Sequence, residues 1–236
     1  MELDLGVYPD CCMAYGLFEV ETTRVIRRLL RPGMHFVDGG ANLGYFTLLA
    51  ADCVGPTGRV DAFEPQPEIL RRLKDNLQRN GMTGIANVHE LALSNEDGQA
   101  VIHQFDDADH NHGCASLFDA HRQATATTPV PTVRLDRMLA GDVPDLIKLD
   151  LEGAEALAIE GMAELLQGES PPKMILEHSR WSAWNAGAET GGALAKVRQL
   201  QPRYRAYEIG SSLRPLTGAV ERLETVGEVN LLLTCE

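Results

Sequence analysis

The sequence predicts an α/β fold: an open, mostly parallel sheet with helices on both faces and an antiparallel C-terminal edge. Three observations predict it. Short β-prone apolar runs alternate with helical patterns over most of the 236 residues. The stretch from His35 to Thr47 (His-Phe-Val-Asp-Gly-Gly-Ala-Asn-Leu-Gly-Tyr-Phe-Thr) reads as a strand, a turn that only small residues make, and a buried helix. Asp38, Glu64, Asp150 and Glu152 stand at the ends of predicted strands, on the rim where open parallel sheets bind ligands.

In chain order, residues 1–18 hold a turn signal, Tyr8-Pro9-Asp10, and an apolar patch, Tyr15-Gly16-Leu17-Phe18. With the helix that follows they form an expected N-terminal flap over residues 1–30, ahead of one larger domain at 31–236. That helix puts Val25, Ile26, Leu29 and Leu30 on one face and Arg24, Arg27, Arg28 and Arg31 on the other. Pro32 and Gly33 end it. A strand over 35–38 and a helix over 45–51 lead through Gly55-Pro56-Thr57-Gly58 to a strand over 59–63. The next helix, 67–80, turns Ile69, Leu70, Leu73 and Leu77 inward. Residues 87–94 read as a third strand running into a loop, and 100–105 as an alternating strand.

Residues 106–128 are expected to form a polar, substrate-facing loop. Asp106, Asp107, Asp109, His110, His112 and Cys114 cluster in it, yet no pair has the spacing of a structural zinc site. A short strand then enters a helix at 132–136. Residues 146–149 form a buried strand that contains Lys148, with one helix from Gly153 through Leu166. Another strand, 173–176, ends in Glu177-His178-Ser179. Trp181 and Trp184 follow, either as packing or as the floor of a sugar or aliphatic pocket. A helix over 193–200 and strands over 204–209 and 228–234 complete the antiparallel edge.

Composition narrows the functional classes. The 34 acids against 21 Lys and Arg give a formal net charge of −13, which disfavours nucleic acid and suits a small neutral or cationic substrate. No secretory signal or membrane-length apolar run is read, and the five cysteines are dispersed without a C-x-x-C pair. Reduced thiols in a cytoplasm are the expectation.

The pattern Asp38-x-Gly40-x-Asn42-x-Gly44 differs from the dinucleotide-binding G-x-G-x-x-G and looks like the first motif of class I S-adenosylmethionine (SAM) methyltransferases. SAM carries a sulfonium and an ammonium instead of a pyrophosphate, so a carboxylate beside the turn attracts it. Asp38, Gly39, Gly40, Ala41, Asn42 and Gly44 are therefore cofactor-binding candidates. Glu64, 20 residues after Gly44 and followed by Pro65, suits a ribose, whose vicinal hydroxyls both donate to one carboxylate. Leu91, Ala92 and Leu93 are candidates for an adenine wall. Lys148 is costly to bury unless paired, and Asp150, two residues on, shares its face.

Taken together, Phe36 to Thr47, Phe63-Glu64-Pro65, and Ile147-Lys148-Leu149-Asp150-Leu151-Glu152-Gly153-Ala154-Glu155 resemble the FkbM family of SAM-dependent methyltransferases. Gly39 departs from the pattern, where a branched apolar residue is expected. The resemblance implies a Rossmann-like, seven-stranded class I methyltransferase sheet. It also implies methyl transfer to oxygen, typically a hydroxyl of a sugar or polyketide-type natural product. Such a hydroxyl must lose a proton, and Asp150, Glu177 and His178 are candidate bases. Lys148 joins them if burial lowers its pKa. A divalent ion between Asp150 and Glu177 stays open. The competing functions are a nicotinamide-dependent oxidoreductase and a non-catalytic SAM-binding protein. Base methylation of nucleic acid fits least, since no Asn/Asp-Pro-Pro-aromatic motif is present.

Overall fold

A computed structural model describes residues 1–105, 115–121, 123–187, 191–216, 223 and 227–235. Two helices, α1 (Asp10–Ala14) and α2 (Val20–Leu29), precede a βα alternation of β1 (His35–Gly39), α3 (Tyr45–Val54), β2 (Arg59–Phe63), α4 (Pro67–Arg79) and β3 (Ala86–His89). The chain then builds β4 (Ala92–Leu93), β5 (Gly98–Gln104), β6 (Ala115–Ser116) and β7 (Ala126–Val133). It returns through α5 (Leu135–Leu139) to β8 (Leu146–Leu149), α6 (Glu155–Glu160), α7 (Ala163–Gln167) and β9 (Lys173–Ser179). The last elements are α8 (Arg180–Asn185), α9 (Gly192–Leu200), β10 (Tyr204–Glu208), β11 (Arg214–Pro215) and β12 (Glu228–Cys235).

The main sheet runs β11-β10-β12-β9-β8-β1-β2-β3. Its centre is parallel, and β12 enters antiparallel between β9 and β10. The expected seven strands are all there, and the two-residue β11 adds an eighth at the edge. Successive strands spread outward in opposite directions from the β1–β8 pair, so the crevice above that pair is the natural ligand site.

Alternation along the buried strands divides the core between the two faces. Phe36 and Leu146 pack with α2, α3 and α4, whereas Val37 and Ile147 pack with α6, α7 and α9. Each large apolar side chain buried this way contributes about 1.5–3 kcal/mol. No helix among the described residues is long and apolar enough to cross a membrane.

Four expectations need correction. Residues 87–94 are two strands, because β3 follows β2 only to His89, after which β4 pairs with β7 in a second, four-stranded sheet. That sheet claims part of the anticipated 106–128 loop, since β7 pairs with β5 from Ala126 onward. Pro129 and Pro131 sit in β7 beyond the reach of the short β4, along an open edge that tolerates missing donors. The single helix expected from Gly153 breaks into α6 and α7. Asp136 makes the break: its backbone N–H donates to Gly161, and its carboxylate accepts the N–H groups of Glu164 and Leu165. Finally, β9 extends to Ser179 because β12 pairs along its whole rim end. The His- and Asp-rich cluster from Asp106 to Cys114 lies outside the described residues.

Candidate functional site

A cavity of about 380 Å³ opens at the carboxyl ends of β1, β2, β8 and β9, with Tyr8, Pro9, Phe18 and Glu19 of the N-terminal segment forming one wall. Two sequence motifs meet there through bare backbone. Gly40 has φ +81°, and a Cβ on it would stand 1.9 Å from the Asp150 carbonyl oxygen. The turn after β1 can lie against the end of β8 only with glycine at this position. Gly39 is the last residue of β1, and the space a side chain would take is filled by Leu93 and Leu149. A branched apolar residue at this position would collide with both.

Glu64 faces the cavity with its carboxylate fixed by the N–H groups of Asn42, at 3.0 Å, and Gln66, at 2.9 Å. Burial, reinforced by Asp38 and Asp150, raises its pKa to about 7 against these two hydrogen bonds. Asp38 lies beneath the floor, where one oxygen accepts the Thr47 hydroxyl at 2.6 Å. Its Oδ1 is buried with no hydrogen-bond partner among the described residues. Burial raises the Asp38 pKa, and the neighbouring Lys148 works against that rise.

Lys148 is 1% exposed and lies 2.8 Å from Asp150 through Nζ, as strand alternation predicts, with Nζ also 4.6 Å from the Phe46 ring centroid. Burial opposes its charge, but Asp150, Glu19, Asp38 and Glu177 surround it and hold its pKa above the ordinary lysine value. It is thus a fixed cation, and the expectation that it acts as a base is corrected. Asp150 is held low by Lys148 despite burial, while burial together with Asp150 and Glu152 drives Glu177 well above the carboxylate range. The two acids lie close enough that each shifts the other, Glu177 upward and Asp150 downward.

His178 is separated from this group. Successive residues of β9 point to opposite faces, so Glu177 and Ser179 line the cavity while His178 turns away and donates from Nε2 to the Leu223 carbonyl at 3.2 Å. Burial lowers its pKa. Of the remaining candidates, Gly40, Asn42, Pro65, Ala92 and Asp150 line the cavity, whereas Asp38, Gly39, Ala41, Gly44 and Lys148 build the wall behind it. Leu91 packs against the core instead. Sequence reasoning missed Glu19 and Glu228. Glu19 accepts a hydrogen bond from Asn230, 211 residues away, a contact no local pattern announces.

The lining fits SAM: Glu64 suits a ribose, and six carboxyl groups line the cavity (Glu19, Glu64, Asp150, Glu152, Glu177 and Glu228). A divalent ion fits less well. Asp150 is already bonded to Lys148 and Glu177, and no group of three or more His, Cys, Asp or Glu among the described residues is placed to hold one.

Comparison with known proteins agrees with this fold. A FkbM methyltransferase from Methylobacillus flagellatus KT superposes with TM-score 0.57 at 15% identity, covering 95% of this chain and 61% of that one. A SAM-dependent O-methyltransferase from Thermotoga maritima gives 0.52 at 16% identity, covering 92% of this chain and 65% of that one. Among curated proteins, a wheat (Triticum aestivum) protein-L-isoaspartate O-methyltransferase is 32% identical over 117 residues, 50% of this chain. The chain spans about half or less of the length of the curated relatives it matches: 46%, 26% and 47% of them. Over residues 38–209 it matches the methyltransferase FkbM domain, and the chain belongs to that family.

Proposed function

We propose that the protein is a SAM-dependent O-methyltransferase acting on a hydroxyl of a small molecule, in the sugar or natural-product class. The observation that carries this is one cavity holding a ribose-suited carboxylate, Glu64, at one end and Asp150 and Glu177 at the other, with the buried Lys148 against Asp150. When bound, SAM would supply the methyl group, with S-adenosylhomocysteine as the leaving group. Glu64 would accept from the ribose hydroxyls, and Asp150 would favour the cationic end. The acceptor's proton passes to Glu177 after Glu177 has released its own proton to solvent, since Asp150, held low by Lys148, is the weaker base of the two. Lys148 keeps the pair oriented and limits its net charge.

The isoaspartate-directed relatives support oxygen as the acceptor atom. A carboxylate acceptor, however, would enter among six lining carboxylates, a repulsion that a hydroxyl does not meet. The test is calorimetric titration with SAM, S-adenosylhomocysteine (SAH) and NAD, followed by transfer of labelled methyl to hydroxylated acceptors. SAM and SAH bind and NAD does not. NAD affinity without SAM affinity would overturn the proposal, and SAM binding without transfer to any acceptor would leave a cofactor-binding protein.

A further inference from the structure

The cavity has two dissimilar halves. Gly40, Asn42, Glu64 and Gln66, from the ends of β1 and β2, make the half suited to the cofactor. The other half is built from the ends of β8 and β9, the start of β12 and the start of α8, and it carries more carboxyl groups than a methyl donor requires. Glu152, Glu177 and Glu228 all face it. Glu152 accepts the Ser182 hydroxyl at 3.1 Å, and Glu228 stands opposite Ser179 across the β9–β12 pair. No Lys, Arg or His is among the described lining residues, and Lys148 behind them is already paired with Asp150.

An independent feature marks the same half. Trp181 lines the cavity, is 61% exposed, and stacks on Trp184 with ring centroids 4.9 Å apart and planes 29° from parallel. Trp184, itself 45% exposed, stacks in turn on His121 at 4.6 Å. The stack presents an aromatic face at the mouth beside the Glu152 and Glu228 carboxyl groups. Aromatic faces receive the C–H faces of rings and attract cations, and neighbouring acids strengthen the second effect.

We infer that the acceptor is a small hydroxylated cation, a polyol ring bearing an ammonium group, seated on Trp181 with its ammonium between Glu152 and Glu228. The inference rests on the methyltransferase proposal and adds the charge of the acceptor to it. Net SAM charge is about +1, and no cationic side chain among the described lining residues stands beside Glu152 and Glu228. Burial and the charges of Asp150, Glu155 and Glu228 raise the Glu152 pKa to about 8, as expected of an anionic site that holds a proton when no cation is present.

The test uses the full chain loaded with SAH and four probes of one ring size: glucosamine, glucose, N-acetylglucosamine and glucuronic acid. The chain's two tryptophans both belong to the stack, so intrinsic fluorescence reports this surface directly. Glucosamine binds at least about tenfold tighter than glucose or N-acetylglucosamine and shifts the emission, while glucuronate does not bind. Glu228→Gln removes the preference for the amine with SAH affinity retained, and Trp181→Ala weakens every ring about tenfold. Equal binding of all four sugars, preference for glucuronate, binding of none, or a preference unchanged by Glu228→Gln overturns the inference. Failure of the chain to bind SAH at all overturns the methyltransferase proposal instead, so the two failures are distinguishable.

Discussion

Lys148 sets the electrostatics of the site, since it is the cation shared by Asp150, Glu19, Asp38 and Glu177. Removing one partner of a buried ion pair leaves the other charge without compensation. Lys148→Met is expected to lower unfolding free energy by about 3–5 kcal/mol, measured by urea denaturation. A variant as stable as the parent would show that the surrounding acids are neutral in the folded chain. Glu64 acts on the ligand more than on the fold. Its replacement by Ala removes charge-assisted acceptors, and SAM affinity in calorimetry falls about tenfold or more with thermal stability near the parent's.

At the scale of the element, alternation along β9 puts Glu177 on the cavity and His178 on the opposite face. Glu177→Gln lowers kcat about 100-fold or more, the lower range for losing a general base, with the SAM dissociation constant kept. His178→Ala changes turnover little, because the imidazole faces the Leu223 carbonyl on the other side of the sheet. Equal loss of kcat in both variants would contradict this assignment. The β1-β2-β3 edge is fastened by Asp61, which bonds His35 and His89 at 2.9 Å each and Asn87 at 3.3 Å. Burial would raise the Asp61 pKa, yet these bonds hold it below the ordinary value. Its contribution to stability is therefore present above the unfolded aspartate value and is lost as pH falls further.

For the whole molecule, pH moves the cavity acids the other way. Glu64 titrates at about 7 and Glu152 at about 8, each above an ordinary value of 4.5. Between the ordinary and the raised value the folded chain binds more protons than the unfolded one, so these two groups favour folding at the acid end and lose that contribution as pH rises. A cationic ligand needs them ionised. SAM affinity is thus expected to increase between about pH 6 and pH 8, while the ligand-free melting temperature declines over the same span. Melting curves with and without SAM measure both, and a SAM-induced shift that shrinks with pH would refute the linkage.

Local chemistry was enough to read much of this protein. Strand, small-residue turn and helix at His35 to Thr47, the acids at strand ends and the Lys148–Asp150 pair are all set by periodicity and by the cost of burying charge, which act within a few residues. The tertiary structure alone decided what depends on distant partners. Pairing with β12 carried β9 past Glu177 and turned His178 out of the site. Asp136 divided α6 from α7 by accepting N–H groups 28 and 29 residues along the chain. Glu19, at a helix start, entered the cavity wall through Asn230. Such contacts join segments whose separation in sequence carries no pattern, so their energies become visible only when the sheet brings them together.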